Sequence, residues 1–249
     1  SAASDVYKRQ ELGVPLDKES AEAAEFYRPP DDAPEIIYLK EKRQKLGGYI
    51  PNRTLSCPSL IIPELERFGN FLDSSKEREM STTGIMVRLL ASLLKLTEVQ
   101  RYIVPIVPDE ARTFGMEGLF QAAGIYSPQG QLYQSLDGDS LMPYREAEDG
   151  QILQEGITEV GAIASFMAAG SAYSVHGLPM IPFYFFYSMF GMQRVGDMIW
   201  SCGDMMCKGF LLGGTAGRTT LNGEGLQHQD GHSHICLLYT SPSPRDGIG

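Results

Sequence analysis

Residues 156–186 read "GITEVGAIASFMAAGSAYSVHGLPMIPFYFF", and this stretch decides the fold class. In its first part, residues 156–174, the apolar residues Val160, Ile163 and Met167 recur at helical spacing, with Phe166 beside them. Gly161, Ala162, Ala164, Ala168 and Ala169 keep that helix slim, so another element can approach it closely. Thr158 is a candidate N-cap, because a threonine hydroxyl can accept a hydrogen bond from an unpaired N–H of the first turn. The second part, "LPMIPFYFF" (178–186), is apolar and aromatic without a break and reads as a buried strand. An amphipathic helix leading into an uninterrupted apolar strand is the pattern of a parallel sheet covered on both faces.

The same alternation extends outward. "GIMVRLLASLLKL" (84–96) has apolar residues at 85, 86, 89, 90, 93 and 94, the spacing of a helix, with Ser81 to Thr83 as cap candidates. "YIVPIVP" (102–108) and "GFLLGGT" (209–215) read as two further strands. The expected fold class is therefore α/β, a parallel sheet with helices on both faces. "DEARTFGMEGLFQAAG" (109–124) follows the first strand at once, so its polar residues fall at a strand's C-terminal end, where open parallel sheets place ligands.

Composition narrows the function. The formal net charge of −10 disfavours a nucleic-acid partner, because an acidic chain repels phosphate backbones. Lys and Arg gather in "YLKEKRQK" (38–45), but alternate with Glu and suit a solvated helix face. No apolar run is long enough for a spanning helix, and the first residues lack the apolar centre of a signal peptide, so no membrane partner is expected and a cytoplasmic location is. Cys202 and Cys207 lie in a Met-rich apolar stretch and read as buried thiols, which suits a reducing compartment.

The domain reading has four parts. Residues 11–58 form the end of a first domain and a linker, acidic and proline-bearing over 11–35, and the chain reads as an extended crossing between domains over 49–69. A compact middle domain covers 59–235. Residues 1–10 and 236–249 match no local pattern and resemble translated sequencing-adapter read-through, which predicts a non-native head and tail.

Four stretches carry chemistry. Asp109, Glu110, Arg112 and Glu117 crowd the end of the first strand, where a solvated turn with an internal ion pair would use the same residues. Glu155 and Glu159 flank a helix start. Glu159 in the first turn is a favourable acid at the helix N-terminus, worth roughly 0.3–1 kcal/mol, and spacing alone does not choose between the two. "FYFFYSMFGMQR" (183–194) is denser in rings than a strand requires; a plain core uses such residues, and so does a wall for a flat-ring cofactor. Finally, "GLQHQDGHSHI" (225–235) holds His228, His232 and His234. Its glycines argue against a helix, and it lacks the standard zinc templates.

Taken together, "YLKEKRQKLGGYIP", "DEARTFGMEGLF", "GQILQEGITE", "PMIPFYFFYSMFGMQRVGD" and "GGTAGRTTLNGEGLQHQDGHSH" resemble one family, the decarboxylating first component of the bacterial pyruvate dehydrogenase complex, homodimeric type. The likeness runs in order over nearly all of residues 11–235, and is loose over "LYQSLDGDSLMPYREAED" (132–149).

The resemblance implies a thiamine diphosphate enzyme and makes this segment the middle, pyrimidine-binding domain. The Mg²⁺ that holds the diphosphate is then bound outside this chain, and the segment alone is inactive. Glu159 resembles the glutamate that bonds the pyrimidine ring. Phe190 resembles the ring stacked on it, with Tyr187 beside it. Asp109, Glu110 and Arg194 match polar residues of the same region, Glu224 a nearby carboxylate, and His228 a histidine facing the substrate. His232 and His234 are expected to support that loop, and His176 to be a surface residue. No protein metal ligand is expected in this chain. The implied partners are pyruvate, the lipoyl domain of the dihydrolipoyl acyltransferase core and a second subunit. Two rival readings are another thiamine diphosphate enzyme acting on 2-oxo acids or ketols, similar to transketolase, and a non-catalytic module binding metal through its histidines.

Overall fold

The computed structural model describes residues 2–48, 53–109, 111–136, 138, 142–214 and 235. The chain divides into two compact units, residues 1–52 and 53–249.

The first unit is helical: α1 (Ala2–Glu11), α2 (Lys18–Glu22) and α3 (Pro34–Lys45). The Asp17 side chain caps α2 by accepting from the Ser20 N–H at 2.7 Å, and that donor holds the Asp17 carboxyl below its ordinary range. Pro34 opens α3, where its missing N–H costs nothing, and Lys42, Arg43 and Lys45 close it against the helix dipole. No residue of α3 is buried, as the alternating charge of residues 38–45 leads one to expect.

In the second unit, residues 53–64 form no helix or strand, and the Thr54 N–H donates to the Ser174 carbonyl at 2.9 Å. The end of the stretch read as extended is instead helical: a 3-10 turn (Leu65–Phe68) runs into the short α4 (Gly69–Leu72). Then follow α5 (Thr82–Leu93), β1 (Ile103–Val107), α6 (Glu117–Ala123), β2 (Ile125–Tyr126), β3 (Glu146–Ala147), β4 (Leu153–Gln154), α7 (Glu159–Val175), β5 (Ile181–Tyr187), α8 (Ser188–Asp204) and β6 (Phe210–Gly214). Of the cap candidates, Ser81 and Thr158 act as such, and Thr82 and Thr83 lie within α5. Ser81 Oγ accepts from the Gly84 N–H at 3.0 Å, and Thr158 Oγ1 from the Gly161 N–H at 3.2 Å.

Four strands form one parallel sheet in the order β4-β1-β5-β6, and β2 pairs with β3 separately. The two central strands are buried on both faces. Ile103, Val107, Phe183 and Phe185 pack with α5 and α6, while Val104, Ile106, Tyr184 and Phe186 pack with α7 and α8. This period of two explains why both strands read as continuous apolar runs. Each such side chain withdrawn from water contributes about 1.5–3 kcal/mol before chain entropy is counted.

The buried row of α7 differs from the expected one. It comprises Ala162, Ile163, Phe166, Ala169, Gly170 and Tyr173, whereas Val160 is 54% exposed and Met167 half-buried. Apolar character alone placed Val160 inward, but the helix turns its row three and four residues apart toward the sheet, and Val160 falls outside that row. The close approach comes at Gly170, whose carbonyl accepts from the Lys208 N–H at 2.9 Å; Ala164 and Ala168 face outward. Cys202 is buried and its thiol is pushed up to about 12 by desolvation; Cys207 is only half-buried, with its thiol raised for the same reason.

Two of the three glycines of α8 are in opposite situations. A Cβ on Gly191 would lie 2.2 Å from the Phe186 ring, whereas one on Gly196 would meet nothing within 4 Å. Within a regular helix, propensity favours Ala over Gly by about 1 kcal/mol, and the kink of α8 at Val195, beside Gly196, reduces that gain there. Gly196→Ala is therefore expected to be neutral or stabilising, and Gly191→Ala to destabilise by about 1–3 kcal/mol through overpacking. Urea denaturation of the two variants checks the opposite signs.

A candidate active site at the carboxyl end of the sheet

Because all four strands of the sheet are parallel, their C-terminal ends lie at one edge. β1 delivers Asp109 there, β4 delivers Glu155 and Glu159, and β5 delivers Tyr187 and, through the first turns of α8, Phe190 and Arg194. β6 leads into residues 215–234. Glu110, Glu224, His228, His232 and His234 lie outside the described residues, so their expected roles have no geometry here.

Glu159 and Arg194 meet. One guanidinium nitrogen, Nη1, donates to both carboxylate oxygens at 3.0 Å. The partners differ in exposure, with the Glu159 side chain 13% exposed and that of Arg194 53%. The reason is helical geometry: Glu159 continues the buried row of α7 one turn above Ala162 and Ile163, so its carboxylate is turned toward the sheet. It also sits in the first turn of α7, where the helix dipole favours a negative charge.

The same guanidinium stands 4.4 Å from the centroid of the half-buried Phe190 ring. Carboxylate, cation and ring thus form one cluster. The Tyr187 hydroxyl lies 2.8 Å from Thr113 Oγ1, and its ring packs 5.1 Å from that of Phe114.

Glu155 is engaged differently. Its carboxylate accepts from Ser165 Oγ, and its backbone N–H donates to the Val107 carbonyl at 3.0 Å, continuing the pairing of β4 with β1. It is tied to α7 and β1, whereas Glu159 is tied to a side chain of α8.

Sequence reasoning missed several neighbours. Thr113 gives no signal beyond a polar residue in a turn. Gln154 Nε2 donates to the Tyr144 hydroxyl at 3.2 Å. Burial raises the Tyr144 hydroxyl, with the charges of Glu146 and Asp109 adding to it, so Tyr144 and Asp109 are electrostatic neighbours. Tyr184 is fully buried beneath this corner, and its ionisation is opposed by burial and then by the charge of Glu159. Alternation along "FYFF" would have placed it on the α7 side of the sheet. His176 is exposed at the end of α7, as expected. Among the described residues, no three His, Cys, Asp or Glu side chains converge as a metal site, and no helix is long and apolar enough to cross a membrane.

In the Glu159–Arg194 pair the carboxylate is largely buried and the guanidinium half-exposed. Arg194→Ala leaves that carboxylate without its guanidinium donor and should cost about 1–3 kcal/mol. Urea midpoints for parent and variant check this, and an unchanged midpoint would mean that the pair adds nothing to stability.

The sequence matches the family model described as "Pyruvate dehydrogenase E1 component middle domain" over residues 60–246. It is also similar to proteins named pyruvate dehydrogenase E1 component. The relative from Pseudomonas aeruginosa is 54% identical over 237 residues, 95% of this chain and 27% of the relative. That from Cupriavidus necator is 51% identical over 228 residues, 91% of this chain and 26% of the relative. That from Escherichia coli strain K12 is 51% identical over 231 residues, 92% and 26% of the two chains. The chain thus spans about a quarter of the length of the curated relatives it matches.

Proposed function

The chain belongs to the pyruvate dehydrogenase E1 component middle-domain family, and we propose that it supplies the pyrimidine-binding part of the active site of a thiamine diphosphate-dependent pyruvate dehydrogenase. The whole reaction is the oxidative decarboxylation of pyruvate, with transfer of the acetyl group to a lipoyl arm on the acyltransferase core. The observation that carries this reading is the Glu159–Arg194–Phe190 cluster at the C-terminal edge of the sheet.

The residues present fit the aminopyrimidine end of the cofactor. A flat ring with a basic nitrogen needs a carboxyl able to share a proton and an aromatic surface to lie against. Glu159 offers the first in a largely buried position, where the exchange is shielded from water. Phe190 and Tyr187 offer rings at the same strand end. Bound thiamine diphosphate supplies the electron sink that decarboxylation of a 2-oxo acid requires.

This chain's own residues hold and move protons and orient groups. Glu159 accepts and returns a proton at its carboxylate oxygens from a largely buried position in the first turn of α7. Arg194 keeps the carboxylate aimed and balances its charge until a ligand takes one of its oxygens. Phe190 binds by stacking, with Tyr187 held in place through Thr113. Asp109 follows the adjacent strand at the polar rim of the site, and Glu110, next in sequence, is assigned to cofactor binding with it. His228 acts on the substrate side, as an imidazole donor to the pyruvate carboxylate or the developing oxyanion, with Glu224 close to it in sequence.

Mg²⁺ is bound with the diphosphate by residues outside this chain, through hard oxygen ligands. The complete protein works as a homodimer in the cytoplasm.

The test is a complete E1 component rebuilt around this segment. Glu159→Ala should lower turnover by on the order of 10²–10⁴, the usual loss when a positioned acid–base group is removed, with the fold kept. Glu155→Ala should be far milder. Decarboxylation assays on both variants decide, and the reverse order of effects refutes the assignment of Glu159.

Phe190→Ala is expected to weaken thiamine diphosphate binding while leaving the thermal midpoint of the cofactor-free protein nearly unchanged. A half-buried ring loses less than the about 3–5 kcal/mol of a core Phe→Ala change. Isothermal titration and melting curves measured together separate a cofactor wall from plain core packing.

A further inference from the structure

β5 contains Phe183, Tyr184, Phe185 and Phe186 in succession, and all four are buried. Phe would fill position 184 as well as Tyr does, since the ring packs among Val104, Ile106, Ile163, Phe166 and Phe186. Its centroid is 4.9 Å from that of Phe186. The added hydroxyl is therefore no aid to packing. It has no accessible surface and no hydrogen-bond partner among the described residues, a condition that costs on the order of 1–3 kcal/mol. A group retained at such a cost calls for a use.

Ile163 of α7 packs in the same cluster as this ring, and Glu159 lies one turn before it on α7, with a charge that opposes ionisation of the phenol. Glu159 belongs to the α7 row that packs on this cluster, and among the described residues its carboxylate accepts from Arg194, whose side chain is half-exposed. Its buried side faces the sheet.

Building on the proposed role of Glu159, we propose that Tyr184 is a positioning residue for it: the hydroxyl supplies, through one bridging water, the second hydrogen-bond donor to the carboxylate, from the side opposite Arg194. The two donors have different duties. Arg194 sits on a half-exposed side chain and can give way to a ligand. Tyr184 is locked in the sheet and cannot, so it keeps the carboxylate aimed while Arg194 yields. A donor to the charged form also makes the acid a readier proton donor, which is the property a proton-sharing glutamate needs.

The test has one arm without cofactor and one with it. In the cofactor-free chain, thermal midpoints are measured for Tyr184→Phe, Glu159→Ala and the double variant. Tyr184→Phe should lower the midpoint when Glu159 is present, and leave it unchanged or raise it when Glu159 is Ala. The two effects should differ by about 2–4 °C. In the complete E1 component with thiamine diphosphate, Tyr184→Phe should lower kcat on the order of tenfold, with KM for pyruvate little changed, as one lost hydrogen bond to a charged group predicts. The acid limb of its kcat profile should move to higher pH, because a carboxylate that loses a donor holds its proton more tightly. Additive midpoint shifts, or a Tyr184→Phe enzyme whose turnover and pH profile match the parent, overturn the role of Tyr184. Turnover that survives Glu159→Ala is a different result, and counts against the proposed function itself.

Discussion

β1 and β5 lie side by side in parallel, Ile103 opposite Ile181 and Ile106 opposite Tyr184, with both faces of each strand withdrawn from water. Everything placed at the candidate site follows from that pairing. A parallel register brings the ends of the strands to one edge, and a sheet covered on both faces leaves that edge as the place where polar groups can gather without being buried in the core. Asp109, Glu155, Tyr187, Phe190 and Arg194 come from strands and helices far apart in the chain. They share an edge only because these two strands pair.

Within that edge, environment separates two carboxylates of the same chemistry. Glu155 is held by Ser165 and by the backbone of β1. Glu159, four residues on, falls on the sheet-facing row of α7 and meets a guanidinium from α8. Its carboxylate is screened from solvent on the sheet side and open to exchange on the other. That combination suits a group that must hold a proton and give it up. The close packing of α8 on β5, which Gly191 permits by leaving room for the Phe186 ring, brings Phe190 and Arg194 to it.

The aromatic density of β5 has two origins. Phe183 and Phe185 fill the α5 and α6 face of the sheet, and Tyr184 and Phe186 the α7 and α8 face. These four rings are core. The rings suited to a flat ligand, Tyr187 and Phe190, come just after, where the strand leaves the sheet and α8 begins. One run of sequence thus serves packing and then, in the proposed function, binding, and the change of role coincides with the end of strand pairing.

Local physics was legible in the sequence. Hydrophobic periods predicted α5, α7 and the strands β1, β5 and β6, and hydroxyl side chains at the right offset predicted the caps Ser81 and Thr158. Boundaries near glycine and proline were less clear, so β5 begins at Ile181 rather than at Leu178. α8 was hidden behind aromatic residues that strands and helices both accept, and the inward row of α7 was misjudged at Val160 because an apolar side chain does not say which way its helix turns. By itself, the sequence determined the α/β class, the family resemblance and the presence of two candidate glutamates beside a helix start. Only the tertiary structure decided that Glu159 faces Arg194, that Glu155 is tied to Ser165, and that the Tyr184 hydroxyl lies buried below them. The physical reason is range. Propensities and caps act within a turn, whereas the partner of Glu159 lies 35 residues away and is brought to it only when β5 joins the sheet and α8 packs back over α7.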